Sequence, residues 1–309
     1  MIDFTDCRQL RKTYNGANGG KRCIEYKGDI YMLKFPSKPL RNTQLSYANG
    51  SVSEYICCHI YEMLGIPVQE TLLGIYRTEK GEKLVVACKD FAMEPNTSFQ
   101  DFGSLKNQVV DSIENGYGTE LSDIMYSIDH QTLMEPKIIK DRFWDMFICD
   151  AFMANFDRHN GNWGFLYNKM TDDIKLSPVF DCGSCLYSQM DSETMQLVMN
   201  DKNEQNARIY NVPASAIKVN GNKLNYMKYL SETVDESCIE AIRRIYPLVD
   251  MEKIVNFINE IECITKTQKK FYSLMLQKRY DLILKPAYKR AEKIALENSQ
   301  HIGGMRTFF

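Results

Sequence analysis

The sequence has no long apolar run and little net charge. No stretch reaches the roughly 18 apolar residues that a membrane-spanning helix needs, and the first residues lack the apolar segment of a signal peptide. The formal charge is −2 over 309 residues, so no overall basic field would hold nucleic acid or an anionic membrane. We therefore expect a globular, cytoplasmic protein with no nucleic-acid or membrane partner, and export without a classical signal peptide stays open.

Histidine is scarce, with four residues, and the ten cysteines follow no regular spacing. Irregularly spaced cysteines in a chain of this length are typical of reduced thiols. One pair, Cys182 and Cys185, forms a C-x-x-C motif, which could be a redox pair or half of a zinc site. Zinc needs four ligands, and the sequence has neither a second C-x-x-C nor an H-x-x-x-H motif.

Runs of β-favouring residues dominate the amino-terminal part of the chain. Two of them, 22–26 and 30–35, flank the turn signal Lys27-Gly28-Asp29 and predict a β-hairpin. Runs at 68–76 and 83–89 predict two further strands.

A helix is predicted between these two pairs of strands. Apolar residues recur there at helical spacing, at Ile56, Ile60, Met63 and Leu64. We expect the helix to begin near Ser53, with Ser51 or Ser53 as its N-cap, and to end at Gly65.

After about residue 93 the pattern becomes helical, with helices predicted at 141–155, from Met251 and at 271–284. The length suggests two packed units, because a domain averages roughly 150 residues. We predict an α+β, bilobed fold. Residues 1–92 form a small β-rich lobe with one helix, and residues 93–309 form a larger, mainly helical lobe.

A dense polar segment, residues 155–164, follows the apolar helix predicted at 141–155. In it, Asp157 and Asn162 lie five positions apart, a spacing at which a carboxylate and an amide can frame a phosphoryl-transfer site. The carboxylate would orient a hydroxyl nucleophile, and the amide oxygen would bind Mg²⁺, which prefers hard oxygen ligands. His159 lies between them, and a histidine there is more often structural than catalytic.

A second carboxylate, Asp181, follows a short apolar strand and comes two positions before Gly183. Its separation from Asp157, 24 residues, is enough for a hairpin to return the chain to the same site. Gly183 would permit the sharp turn that lets Asp181 face the metal. On this interpretation Cys182 and Cys185 are small packing residues beside a metal ligand.

The amino-terminal lobe offers groups for the phosphates of a nucleotide. The turn Gly16-Ala17-Asn18-Gly19-Gly20 can bring backbone N–H groups close to phosphates, where side chains would obstruct. Lys34, in a predicted strand, fits a phosphate clamp, and Glu54 in the following helix could hold it. Each feature alone is weak, because glycine-rich turns and strand lysines are common at surfaces. Their order along the chain is what favours a phosphotransferase.

That order, and the motif N-x-D-x-H-x-x-N-x-G at residues 155–164, resemble the HipA-like serine/threonine kinases in a short, stand-alone form. The resemblance covers roughly residues 10–285. It implies the bilobed protein-kinase-like fold, and an antitoxin partner is not expected. The chain differs from ordinary protein kinases at Asn155, where their His-Arg-Asp motif has histidine, and at Cys182, where Asp-Phe-Gly has phenylalanine.

The resemblance also implies how ATP would bind. Backbone groups from Lys89 to Phe91 would meet the adenine, and Lys34 would hold the phosphates. Thr13 matches the position of a serine that the family can autophosphorylate at the edge of the glycine-rich loop.

The same resemblance implies the catalytic roles. Asp157 would orient the acceptor hydroxyl, Asn162 and Asp181 would hold Mg²⁺, and His159 would support the catalytic loop. We predict an ATP- and Mg²⁺-dependent serine/threonine kinase that acts on itself and on a protein substrate of unknown identity. Two alternatives stay open. One is a phosphotransferase for a lipid or small molecule, because Asp-Arg-His also occurs in lipid-kinase loops, and the other is a non-catalytic nucleotide-binding module.

Overall fold

The computed structural model describes residues 1–14, 20–36, 49–110 and 116–305, with side chains up to residue 298. The predicted phosphate-binding residues Gly16, Ala17, Asn18 and Gly19 therefore lie outside the described residues.

A six-stranded sheet makes up most of the amino-terminal lobe. Its strands are β1 (Ile2–Asp3), β2 (Arg8–Leu10), β3 (Lys21–Tyr26), β4 (Asp29–Lys34), β5 (Thr71–Thr78) and β6 (Gly81–Lys89), in the spatial order β1-β5-β6-β4-β3-β2. The predicted hairpin is confirmed as β3 and β4. Its turn residues Lys27 and Gly28 have positive φ angles of 52° and 89°, as a tight two-residue hairpin turn requires. The short strands β1 and β2 were not predicted.

The helix of this lobe, α1 (Gly50–Met63), begins three residues before the predicted start at Ser53. The predicted caps Ser51 and Ser53 are wrong, because Asn49 is the N-cap residue and its side chain makes no capping hydrogen bond. That side chain instead donates to the Met190 carbonyl at 2.6 Å and accepts from Gln268 at 2.9 Å. The start of α1 is therefore set by contacts with the second lobe, which a local sequence pattern does not contain.

The second lobe is mainly helical, as predicted. Its helices are α2 (Phe102–Val109), α3 (Leu121–His130), α4 (Pro136–Met153), α5 (Ser192–Asn200), α6 (Lys202–Asn206), α7 (Tyr226–Glu232), α8 (Glu236–Ile245), α9 (Met251–Glu260), α10 (Lys266–Arg279) and α11 (Lys285–Met305). The helix predicted at 271–284 corresponds to α10 and the π-helical segment Tyr280–Leu284 that joins it to α11. A capping box with Thr265 as the N-cap residue precedes α10. Among the residues described, no helix is both long and apolar enough to cross a membrane.

Strands also occur in this mainly helical lobe, and only the short strand before Asp181 was predicted; its start overlaps the end of the observed strand at residues 175–176. A three-stranded sheet contains β7 (Thr97–Asp101), β8 (Gly164–Asn168) and β9 (Asp173–Leu176), and a small hairpin contains β10 (Lys218–Val219) and β11 (Asn222–Lys223). β8 directly follows the polar segment, and a Cβ atom on Gly164 would lie 2.2 Å from the Gln100 carbonyl oxygen of β7. The glycine that ends the motif is therefore required for close strand packing.

The buried residues of the first lobe are divided between two hydrophobic cores. A small core, made of Phe4, Ile24, Tyr31, Leu33, Tyr76, Val85 and Ala87, belongs to the sheet alone. The buried residues of α1 join the large core of the second lobe, together with those of α4. The division of the chain at residue 92 stays a prediction.

Candidate active site

Three charged side chains from separate segments meet between the lobes, and we call Lys34, Glu54 and Asp181 the open cluster. Lys34 is the last residue of β4, and Glu54 lies near the start of α1. Asp181 lies five residues after the end of β9. The Lys34 ammonium lies 2.9 Å from Glu54 Oε2 and 2.8 Å from Asp181 Oδ1. The structure thus brings together three residues that the sequence singled out.

Exposure differs sharply within the open cluster. The side chains of Lys34 and Glu54 are 15% and 1% exposed, whereas that of Asp181 is 43% exposed. Lys34 lowers the pKa of Asp181 to about 2. Burial alone would lower the pKa of Lys34, but Asp181 and Glu54 outweigh it and hold that pKa well above its usual value. Asp181 is therefore a charged carboxylate that a ligand can still reach.

The backbone that presents Asp181 differs from the prediction. The turn predicted at Gly183 is present, since the Cys185 N–H donates to the Cys182 carbonyl at 3.1 Å, but the left-handed residue is Asp181, with a φ of 58°, and not Gly183. A Cβ atom on Gly183 would lie 3.1 Å from Glu54 Oε2, so this glycine lets the segment approach α1 closely. Before Asp181, Val179 exchanges backbone hydrogen bonds with Gln69 and Pro67 at 2.8 Å each, which fixes the segment beside the first lobe.

The loop after α4 holds the predicted catalytic residues. Ala154, which follows the last residue of α4, has a left-handed φ of 58°. The Asp157 N–H then donates to Asn155 Oδ1 at 3.0 Å. The Asn162 side chain closes the loop by donating to the Asp157 carbonyl at 2.9 Å. His159 shapes the same turn, because its Nδ1 accepts from the Gly161 N–H at 3.1 Å.

The carboxylate of Asp157 is half-buried, and it accepts no hydrogen bond from any residue that the structure describes. Burial raises its pKa above the usual value, His159 and Lys223 lower it, and the charge of Asp181 raises it further. Asp157 and Asp181 therefore lie close enough to repel each other electrostatically.

The oxygen atoms of Asn162 and Asp181 are suitable ligands for a hard divalent cation. The Asn162 amide nitrogen is occupied by the Asp157 carbonyl, which leaves its Oδ1 as the atom for a ligand. Asp181 adds a charged carboxylate oxygen, and amide and carboxylate oxygens are ligands that Mg²⁺ accepts. Within the described residues no group of three or more His, Cys, Asp or Glu side chains could hold a metal. A site with two protein ligands depends on further oxygens from a nucleotide.

A second group of polar side chains joins the polar segment to α4 and α1, and sequence reasoning missed it. We call Tyr61, Asp150, Asn155 and Arg158 the closed cluster. The Asp150 carboxylate, on α4, accepts hydrogen bonds from Arg158 Nε at 3.1 Å, Asn155 Nδ2 at 2.9 Å and Tyr61 at 3.2 Å. Asp150 is 1% exposed and Arg158 is 5% exposed.

One signal in the sequence could have revealed the closed cluster. Asp150 is an acid within the apolar run Phe147–Met153 of a helix that is buried on most sides. A buried carboxylate needs a partner, because an unpaired charge in a protein interior is very costly. Arg158, eight residues later in the polar segment, is the nearest cation along the chain after it.

The predicted adenine-binding segment joins the end of β6 to the second lobe. Both backbone groups of Lys89 are occupied, since its N–H donates to the Glu70 carbonyl and its carbonyl accepts from the Gln69 side chain, at 2.8 Å each. The Asp90 N–H donates to the Ile30 carbonyl at 2.9 Å. Among the residues described, the Asp90 carbonyl and the Phe91 N–H make no such bond. The ring of Phe91 packs on Phe180 at 5.4 Å, so this segment contacts the residue before Asp181.

Thr13 is exposed and lies in a segment that reaches the same connection. Its neighbours Lys12 and Tyr14 both bond to Asp90 Oδ2, at 2.5 and 2.8 Å. Thr13 is therefore held beside the candidate nucleotide site, and its modification stays a prediction.

The C-x-x-C cysteines are free thiols, and both are fully buried. The Cys182 N–H donates to Glu54 Oε1 at 3.1 Å, and the Cys182 sulfur accepts from Arg158 at 3.4 Å. This packing agrees with their interpretation as small residues beside Asp181.

Known proteins resemble this chain in sequence and in fold. A family model described as the HipA-like C-terminal domain matches residues 20–245. The serine/threonine-protein kinase CtkA of Helicobacter pylori strain J99 is 44% identical over 301 residues, which cover 97% of this chain and 91% of that protein.

Two solved structures resemble the fold. The crystal structure of the H. pylori proinflammatory kinase CtkA has a TM-score of 0.88 and 44% identity, covering 95% of this chain and 98% of that one. The Shewanella oneidensis HipA–HipB–operator DNA complex contains a chain with a TM-score of 0.53 and 12% identity, covering 92% of this chain and 69% of that one, which shows the fold alone. The kinase-like bilobed fold and the resemblance inferred from the sequence are confirmed, and this chain belongs to the HipA-like C-terminal domain family.

Proposed function

We propose that this chain is an ATP- and Mg²⁺-dependent serine/threonine protein kinase in which Asp157 orients the acceptor hydroxyl. Its identity of 44% with the kinase CtkA over 97% of the chain supports the activity and the use of ATP. The observation that carries the assignment of residues is the open cluster, in which Lys34 bonds to Glu54 and Asp181 at 2.9 and 2.8 Å. A strand lysine held by a helix glutamate beside a metal-binding aspartate is how kinases place the phosphates.

Asp157 has the freedom that an acceptor hydroxyl requires, since its carboxylate accepts no hydrogen bond from the described residues. The hydroxyl donates to it, and the hydroxyl oxygen forms a bond to the γ-phosphorus while the bond from that phosphorus to the β,γ-bridging oxygen breaks. The proton passes to Asp157, and ADP leaves. Positioning and electrostatics supply most of the acceleration, because the transition state of phosphoryl transfer is loose.

Asn162 and Asp181 would hold Mg²⁺, through the amide Oδ1 and a carboxylate oxygen. When it is bound, the cation neutralises negative charge on the phosphate oxygens. Lys34 lowers the pKa of the Asp181 carboxyl to about 2, which stabilises the ionised form that Mg²⁺ would bind.

The remaining assignments concern the nucleotide and self-modification. Adenine would bind to the Asp90 carbonyl and the Phe91 N–H, and the backbone of Gly16 to Gly19 would bind the phosphates. Thr13 is proposed as an autophosphorylation site, and phosphopeptide mapping after incubation with ATP would contradict this if Thr13 stayed unmodified while other sites filled.

The decisive experiment compares the wild type with Asp157→Asn in labelled ATP and Mg²⁺, with a generic protein acceptor. We expect transfer to fall on the order of 10²-fold or more, because a positioned base contributes roughly that much. The control is Asp172→Asn, the same change at an exposed turn residue with a φ of 56°, which asparagine tolerates. It should transfer phosphate at the wild-type rate.

Stability provides an independent check on Asp157→Asn. Because burial raises the pKa of Asp157, the folded protein binds that proton more tightly than the unfolded chain does. Ionised Asp157 therefore costs stability at neutral pH, and Asp157→Asn should melt at the wild-type temperature or slightly above it. Unchanged transfer by this variant would contradict the role of Asp157. Labelling of lipid or a small molecule without protein would indicate a different acceptor.

A further inference from the structure

We propose that Arg158 is a positioning residue that fixes Asn162 relative to Asp181, so that both oxygens face one metal ion. The proposal rests on the assignment of these two residues as metal ligands under the proposed function. It adds a third residue, which contacts neither the metal nor the nucleotide.

One nitrogen of Arg158 bonds to both ligand-bearing segments. Its Nη1 donates to the carbonyl of Asn162 at 3.1 Å and to the carbonyl of Phe180, the residue before Asp181. Its Nη2 lies 3.4 Å from the sulfur of Cys182, the residue after Asp181. The guanidinium therefore contacts the backbone of Asn162 and the two residues that flank Asp181.

A buried anchor fixes the guanidinium itself. Arg158 Nε and Nη2 lie 3.1 and 3.4 Å from the two carboxylate oxygens of Asp150. Asp150 lies on α4, where the carboxylate is 1% exposed, so the pair cannot shift without breaking a buried contact. The planar group has a fixed fork of donors, which transmits the orientation of α4 to both loops.

The segment with Asp181 needs such a contact. Asp181 has a left-handed φ of 58°, a conformation that residues other than glycine rarely adopt and that persists only where the surroundings impose it. The bond from Arg158 to the Phe180 carbonyl acts at the peptide immediately before this residue. We infer that Asp181 keeps this conformation, and its carboxylate its direction, through Arg158.

The chain contains a matched control for a purely structural arginine. Arg279 is 1% exposed, and it also donates to backbone carbonyls, at Ala151 (2.8 Å) and Arg208 (3.2 Å). It contacts neither Asn162 nor the segment around Asp181. Loss of either arginine should lower the melting temperature, but only loss of Arg158 should change metal binding.

The experiment compares Arg158→Lys with Arg279→Lys in the full chain. Lysine keeps the positive charge beside Asp150, but one ammonium group cannot reproduce the fork that reaches both loops. The readouts are the melting temperature, the binding of a non-hydrolysable ATP analogue without metal, and Mn²⁺ binding in the presence of that analogue, measured by electron paramagnetic resonance.

For Arg158→Lys we expect Mn²⁺ affinity to fall roughly 10–100-fold, the usual effect of removing a group that orients metal ligands. Analogue binding without metal should change less than about threefold. Arg279→Lys should melt lower and bind Mn²⁺ as the wild type does. Wild-type Mn²⁺ affinity in Arg158→Lys, or an equal loss in Arg279→Lys, would overturn the proposal.

A double variant keeps the test valid if Arg158→Lys does not fold. Asp150→Asn with Arg158→Gln leaves no unpaired buried charge, which is the main cost of breaking such a pair, and it should also lose Mn²⁺ affinity. None of these binding readouts needs phosphoryl transfer. Failure of the proposed function appears instead as a wild type that binds metal and nucleotide but transfers no phosphate.

Discussion

The open and closed clusters both contact the segment around Asp181, and they use similar ion pairs for different purposes. In the closed cluster Asp150 is 1% exposed, and its carboxylate accepts hydrogen bonds from three residues of the protein. In the open cluster Asp181 is 43% exposed and bonds to one lysine, which leaves carboxylate oxygen available for a ligand. An ion pair is thus a structural joint or a binding site according to how much of its hydrogen-bonding capacity the protein itself occupies.

The largest expected effect comes from breaking the closed cluster. Asp150→Ala should lower the free energy of unfolding by roughly 3–5 kcal/mol, because it leaves Arg158 buried without its counter-charge. Urea denaturation measures this. Asp145→Ala is the control on the same helix, since its partner Arg244 is 36% exposed, and it should cost about 1 kcal/mol or less. Equal losses would contradict the distinction between the two kinds of pair on α4.

Breaking the open cluster should lower the rate as well as the stability, because Glu54, which is 1% exposed, loses its counter-charge. Lys34→Met should lower kcat/KM by roughly 10²–10³-fold, the usual cost of losing one preorganised charge at a phosphoryl group. Steady-state kinetics with ATP and a protein acceptor measure this. Lys137→Met is the control, because this lysine also lies between two carboxylates, Asp141 and Glu240, but is 63% exposed on the second lobe. A kinase that worked without Lys34 would remove the main argument for the proposed site.

The smallest effect concerns the charge around Asp157. Burial raises the pKa of Asp157 and Lys223 partly offsets this, so Lys223→Gln should raise that pKa further. Asp157 must be ionised to accept the proton, so the rate falls as the pH falls through its pKa, and the acid limb of kcat/KM should move to higher pH. Lys218→Gln, across the same β10–β11 hairpin, should leave the limb in place. An acid limb that stayed in place or moved to lower pH would show that Lys223 does not lower the pKa of Asp157.

The residues of the candidate site are more predictable from the sequence than the distant contacts that hold them in place. Lys34, Glu54 and Asp181 could be identified because each lies in a short pattern, and because the order of those patterns along the chain is itself informative. The polar residues from Asn155 to Asn162 are contiguous, so their proximity needs no knowledge of the fold.

Support from distant parts of the chain could not be predicted in this way. β7 pairs Asp101 with Gly164, and neither segment has a strand pattern strong enough to outweigh the helical character around it. The predicted N-cap of α1 was wrong because Asn49 forms hydrogen bonds with Met190 and Gln268 of the second lobe. These tertiary contacts outweigh the local preference for serine as the cap. The role of Arg158 was missed because it depends on the ion pair with Asp150. In the sequence, Asp150 looks like an isolated polar residue in an apolar helix.

The way α1 is attached to the second lobe has a consequence for control of the enzyme. Along its length α1 is fastened at Asn49 to Met190, at Glu54 to the Cys182 N–H, at His59 to the ring of Phe257 at 5.0 Å, and at Tyr61 to Asp150. Swinging the helix outward to separate Glu54 from Lys34 would break all four contacts and expose apolar surface, at roughly 1.5–3 kcal/mol for each large side chain uncovered. Rotation of α1 is therefore a costly way to switch this protein off. Under the proposed function, the pair of Lys34 and Glu54 is already assembled in the folded chain.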